Sequence, residues 1–192
     1  MSDIMIHPTA FIHYKALVTE SRVGAGTKIW QFASVIRGAT IGARCNIASG
    51  ACIDGSDIGD DCVIAHNLAM GPGFKIGNGV FIGPNVTFCN DAWPRAGKDG
   101  FDADAYIGSP AVIVEDGASI GANAVILPGV RIGSGAMIAA GAVVRADVRA
   151  GELYMGRGEV RKISDETGRI RIRRARADES EARAFAEDHG ID

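Results

Sequence analysis

The sequence predicts an all-β protein built as a parallel β-helix, and three observations carry the prediction. Aliphatic residues recur every six positions, glycine follows many of them, and a small side chain stands at the fifth position of most units. Val23, Ile29, Val35, Ile41, Ile47 and Ile53 fall at steps of six; a step of five leads to Ile58, and Ile64, Met70, Ile76 and Ile82 resume the count. That period fits neither an amphipathic helix, whose apolar face recurs at three and four residues, nor an ordinary alternating strand. It fits a coil of three units, about 18 residues long, in which each unit supplies one short strand and one corner. The head residues then point inward and stack coil upon coil at about 4.8 Å, forming an aliphatic ladder.

The second and fifth positions complete the pattern. Gly24, Gly42, Gly59, Gly77, Gly83, Gly121 and Gly133 each follow a head, where glycine tolerates a corner. Thr27, Ala33, Ala39, Cys45, Ala51, Cys62, Val80, Val86, Ala118, Ala124, Val130, Ala136 and Ala142 hold the fifth position, and their modest size lets the prism close without overpacking.

The 192 residues are 47% hydrophobic and 22% charged, with a formal net charge of -3, which describes one soluble globular unit. Neither sign dominates, so no nucleic-acid or membrane surface is expected as the main partner. The N-terminus lacks the charged and apolar regions of a signal peptide and no apolar run is long enough to span a bilayer, which makes the cytoplasm the expected compartment. Aromatic residues make up only 6%, as suits a narrow interior filled by aliphatics. The four cysteines, Cys45, Cys52, Cys62 and Cys89, form no CxxC pair, and no metal site is expected. Cys45 and Cys62 share the fifth position one coil apart and read as buried small hydrophobes.

In chain order, Ile6, Ile12 and Val18 carry the frame to the first coil, so no preceding domain is expected. Trp30, Phe32 and Arg37 then place heavy side chains outward, where an exposed apolar patch marks either packing between subunits or a ligand groove. His66 follows the head Ile64 by two positions and points outward at a corner. After Phe88 the frame stops, and Asn90, Asp91, Trp93, Pro94 and Arg95 open an excursion of residues 89–110 before the repeat resumes at Val114. Excursions longer than about 12–15 residues in a regular array are more often functional than decorative. Past Val148 the hexads decay, and a glycine-rich turn is expected to leave the prism. Residues 1–163 form the β-helix domain, with 164–192 either a strand and helix cap or a solvated tail.

Taken together, the hexads, His66 in its Ile64-Ala65-His66-Asn67 setting, and the loop from Phe88 to Arg95 resemble the hexapeptide-repeat acyltransferases, in their nucleotide-linked amino-sugar N-acetyltransferase branch. The resemblance implies a left-handed β-helix, an exception to the usual right-handed crossover. It further implies a homotrimer with sites between subunits, acetyl-CoA as co-substrate, and a nucleotide-linked amino sugar as acceptor. The loop is most similar to that of enzymes acting on dTDP-linked 3-amino-3,6-dideoxyhexoses, with UDP-linked 3-amino and GDP- or UDP-linked 4-amino sugars as alternatives. Such sugars belong to lipopolysaccharide O-antigen.

Acyl transfer to an amine needs a proton acceptor and a donor for the developing oxyanion. Imidazole is mostly neutral at pH 7 and takes a proton there, so His66 is the candidate base, with substrate orientation or a surface position as its other readings. In similar 3-amino-sugar enzymes an asparagine often replaces that histidine and the departing CoA thiolate collects the proton. Asn90 matches the loop asparagine that approaches the sugar. Asp91 orients the amine, anchors the base or caps the turn; Arg95 suits a pyrophosphate or a loop salt bridge; Trp93 stacks a pyrimidine or seals the groove. Trp30 and Arg37 complete the acceptor set. For CoA, the small residues Ala140, Gly141 and Ala142 permit close approach of the pantetheine arm, and Arg157, Arg161 and Lys162 offer cations to its phosphates. The family's Gly-x-Pro-Ala pattern is replaced here by Gly156, Arg157, Gly158 and Glu159. Two rival classes are weighed against this: a non-catalytic trimeric scaffold, and a γ-carbonic-anhydrase-like metal hydratase, whose three histidine ligands are lacking in the middle coils.

Overall fold

Each hexad folds as its spacing requires, giving one strand of two or three residues with the head buried and its neighbour turned out. The computed structural model describes residues 5–92, 94, 96 and 110–156, with 159–162 described for the backbone alone. Among them run 23 strands and no helix, from β1 (Met5–Ile6) to β23 (Glu159–Lys162). They form three sheets of seven, nine and seven strands; through the seventh coil every third strand pairs in parallel, so each coil adds one rung to each of three faces. Seven complete coils and a partial eighth result, an architecture that matches the left-handed β-helix of hexapeptide repeats.

The register is the one the heads predict. Val23 pairs with Ile41, Ile41 with Ile58 and Ile58 with Ile76 on the first face; Ile47, Ile64 and Ile82 align on the second; Ile53, Met70 and Phe88 align on the third. These heads and the fifth-position residues, Ala33 to Ala142, are buried and form a single column. Cys45 and Cys62 stack within it, and each thiol donates to a carbonyl, Gly59 O and Gly77 O, at 3.1 Å. The hydrogen bond with the Cys45 sulfur, and then burial, push the Cys62 thiol well above its ordinary value.

Two glycines near one edge illustrate different demands. A Cβ on Gly59 would lie 2.7 Å from the carbonyl oxygen of Gly77 and 2.8 Å from its carbon, backbone atoms of the next coil that cannot yield. Gly79 is left-handed, with φ +62°, and a Cβ there would meet nothing within 4 Å. Gly59→Ala is therefore expected to cost about 1–3 kcal/mol, whereas Gly79→Asn, a residue that tolerates φ > 0, stays within about 0.5 kcal/mol. Urea midpoints at unchanged slope test this; equal midpoints for the two variants would show that these contacts do not set the coil spacing.

The excursion leaves the solenoid after β15 (Thr87–Phe88) and rejoins it at β16 (Val112–Val114), where the Ala111 N–H donates to Gly73 O at 2.6 Å and the first face continues unbroken. At the C-terminal end the coil continues past Val148. The chain does not leave the prism at the turn after Val148: β22 (Glu152–Gly156) pairs in parallel with β20 (Met137–Ile138), and Tyr154 is buried on Ile138 as an eighth rung of the second face. Only then does the chain reverse, with β23 antiparallel to β22. Backbone pairing continues one strand beyond the hexad pattern because a tyrosine, its hydroxyl donating to Val143 O at 3.1 Å, can end the column that aliphatics fill elsewhere.

Candidate active site

Inward residues build the column, so chemistry is left to the outward strand residues and to the three edges where faces meet. On the edge between the second and third faces, register places Tyr14, Gln31, Ser49, His66, Pro84, Ala122 and Ala140 in one vertical line. Beside them runs a second line, Lys15, Phe32, Gly50, Asn67, Asn85, Asn123 and Gly141, each of whose members from Phe32 onward has positive φ, between 57° and 75°. This second edge carries features at three heights.

At the N-terminal end the rings of Phe11 and Trp30 lie 5.4 Å apart, and His13 stacks on Tyr14 at 4.6 Å. The Lys15 ammonium sits 5.5 Å from the Tyr14 ring and 5.7 Å from that of Phe32. Two coils above Gln31, about 10 Å at the coil spacing, His66 occupies an exposed turn. Its carbonyl accepts the Asn85 N–H at 2.9 Å, and Asn67 Nδ2 donates to Asn85 Oδ1 at 3.2 Å, which fixes the turn. The imidazole itself bonds to no described residue and is exposed. Three coils further, Ala140, Gly141, Ala142, Val143, Arg145 and Tyr154, with Met155 and Gly156, line an open cleft of about 490 Å³.

The remaining expected residues lie elsewhere. Arg37 and Asn90 stand on the third edge, where the third face returns to the first. Arg37 Nε donates to Asp54 Oδ1 at 2.7 Å and its Nη2 to Asp54 Oδ2, closing a bidentate pair between neighbouring coils with the carboxylate mostly buried. Asn90 Nδ2 donates to Pro72 O at 3.3 Å, and Asp91 follows at the start of the excursion. One whole strand of the third face separates this edge from His66, about 17 Å of extended chain. Trp93, Arg95 and Arg157 lie outside the described residues, as do the side chains of Arg161 and Lys162 and all of 163–192. Among the described residues no group of three or more His, Cys, Asp or Glu converges to hold a metal ion.

The structure thus brings His66, Trp30 and Ala140 to Ala142 onto one edge and keeps Arg37, Asn90 and Asp91 on another. Sequence reasoning missed two residues, and the backbone conformation of a third. Lys15 lies 17 residues before Phe32, one coil length, and that spacing was the available signal. Arg145 lies just past the head Val144, an outward position at the cleft. Phe32 was noticed as an outward aromatic; its left-handed backbone was signalled by the glycines and asparagines that hold the same place in later coils.

A protein-family model described as bacterial transferase hexapeptide (six repeats) matches residues 20–55, 55–90 and 111–146. A curated relative, the bifunctional protein GlmU of Thermodesulfovibrio yellowstonii, is 28% identical over 131 residues, covering 66% of this chain and 29% of its own length. Among solved structures, the UDP-N-acetylglucosamine acyltransferase of Francisella novicida superposes with a TM-score of 0.54 at 19% identity, over 78% of this chain and 66% of that one. The Caulobacter crescentus PerB structure with CoA and GDP-perosamine gives a TM-score of 0.48 at 20% identity, over 82% and 56%. The chain spans well under two thirds of the curated relative.

Proposed function

Because the chain belongs to the bacterial transferase hexapeptide family, we propose that it transfers the acetyl group of acetyl-CoA to the amino group of a nucleotide-linked amino sugar, a dTDP-linked 3-amino-3,6-dideoxyhexose. The observation that carries this reading is the second edge: an outward-facing imidazole stands midway between a ring cluster and an open cleft, all on one line. The cleft fits the acyl donor. Ala140, Gly141 and Ala142 let backbone approach the pantetheine arm, Met155 and Val143 give it apolar surface, and the exposed Arg145 offers a guanidinium to a phosphate.

The amine attacks the thioester carbonyl, a tetrahedral intermediate forms, and the C–S bond breaks to release the CoA thiol and the amide. The proton lost by nitrogen goes to His66 and from there to the leaving sulfur. Asn90 holds the amine and a sugar hydroxyl, and Asp91 orients the sugar. Because about 17 Å of the third face separates Asn90 from His66 in one chain, these groups meet only if the third edge of one copy lies against the second edge of the next. A homotrimer supplies that contact at each of its three grooves. Arg37, held by Asp54, keeps Nη1 for the diphosphate at the same groove.

The test is thiol release from acetyl-CoA across a panel of dTDP-, UDP- and GDP-linked 3- and 4-amino sugars. Turnover with a dTDP-linked 3-amine above all others supports the reading, turnover with another amine changes the acceptor, and release with none returns the protein to a non-catalytic scaffold. Mixed trimers of Asn90→Ala and His66→Ala chains add a check on the shared groove: restored turnover is expected only if the two residues act from different copies.

A further inference from the structure

Resting on that reading, we infer that the aromatic edge of the first two coils, Tyr14, Lys15, Trp30 and Phe32 with Lys28, binds the nucleoside diphosphate of the acceptor. Two independent observations carry the inference, one conformational and one electrostatic.

Phe32 has φ +63° in a solvent-facing turn. The equivalent place is held by Gly50, Asn67, Asn85, Asn123 and Gly141 in later coils, the residue types that adopt this conformation readily. A bulky side chain there is strained, and no burial within the chain compensates, since Phe32 is 64% exposed. Strain of this kind collects at ligand-binding positions. The neighbouring Tyr14 is 83% exposed, while the Trp30 indole Nε1 donates to Asn46 Oδ1 at 2.8 Å, so the ring is fixed with its polar atom satisfied. These are planar surfaces on which a base stacks.

The charge is one-sided. Residues 5–53 contain Lys15, Arg22, Lys28, Arg37 and Arg44 against one carboxylate, Glu20, which lies on the third edge. Arg37 is ion-paired with Asp54 through Nε and Nη2, and Arg44 with Asp60 and Asp61. The Lys15 ammonium lies over two rings, and neither it nor Lys28, beside Phe11 in register, has an ion pair among the described residues. Two cations without an ion pair among the described residues, next to exposed rings, suit a planar base joined to a multiply charged diphosphate. From Phe32 to the height of His66 is two coils, about 10 Å, a gap that a diphosphate and one pyranose ring fill. The acceptor would therefore lie along the edge with its base at the first coils and its amine at the imidazole.

Calorimetric titration with dTDP, UDP and GDP, without sugar or acetyl-CoA, tests the platform apart from catalysis. Wild type is expected to bind at least one of them, Phe32→Asn to bind it about tenfold more weakly or worse, and Lys15→Ala to weaken binding with a shallower salt dependence. Phe32→Asn should melt at or above the wild-type temperature, because asparagine accepts the left-handed turn; this separates lost stacking from lost folding. Unchanged affinity in both variants overturns the inference. So does a shift from oligomer to monomer in sedimentation with affinity retained, which would make a second copy the occupant of the rings. Wild-type KM for a nucleotide-linked amine in Phe32→Asn would also overturn it while leaving the transferase standing. Nucleotide binding that is lost in Phe32→Asn, in a protein that acetylates no amine, would keep the platform and discard the transferase.

Discussion

Replacing His66 by alanine is expected to lower kcat for acetyl transfer about a hundredfold or more, with KM for both substrates changed little. The expectation follows from position. His66 sits on an exposed turn whose geometry is held by backbone and asparagine hydrogen bonds, so the imidazole is dispensable for folding. Melting temperature should stay within about a degree or two of wild type, as for other exposed substitutions. A side chain that contributes nothing to the coil and bonds to no described residue is available for proton transfer. The measurement is a steady-state comparison of wild type, His66→Ala and His66→Gln with the best amine of the panel. Equal kcat in all three would move the proton to the departing thiolate and leave His66 as a surface residue. A raised KM with kcat intact would make it an orienting group instead.

Ile64→Ala is expected to cost about 2–5 kcal/mol, more than any outward substitution on the same strand. Ile64 is fully buried and lies between Ile47 and Ile82 in the second-face ladder. Removing its side chain leaves a void that the neighbouring coils cannot close, since their separation is fixed by parallel backbone pairing on three sides. Val63, adjacent in sequence but 42% exposed, is the control: Val63→Thr should change stability by less than about 0.5 kcal/mol. Thermal and urea unfolding of the two variants read the difference. Because each coil contacts only its neighbours, the damage in the fourth coil should also split one unfolding transition into two. A cost below about 1 kcal/mol for Ile64→Ala would refute a continuous column.

Much of the candidate site could be named from sequence without being assembled. His66 and Asn90 both stood out, one as a rare histidine at an outward position, the other at the head of the excursion. Their separation on different edges did not, because the hexad period distinguishes inward from outward and says less about which edge an outward residue reaches. Coils of 17 and 18 residues alternate up to the excursion, and each shorter coil shifts the count. Lys15 and Phe32 are neighbours across such a 17-residue step, which the Phe32 N–H closes by donating to Lys15 O at 3.0 Å. Arg37 shows the same limit: its role was assigned by residue type, and its bidentate partner Asp54 lies one coil away.

By itself the sequence determined the parallel coil, the heads that fill it, the small fifth-position residues and the place of the excursion. Each of these follows from an environment that repeats with the chain, so period alone reveals it. Only the tertiary structure decided the edges, the left-handed turn at Phe32, the open cleft beside Arg145 and the eighth rung at Tyr154. These depend on hydrogen bonds between coils, and the corner conformations that satisfy them are set by the coil below rather than by the residues of the corner.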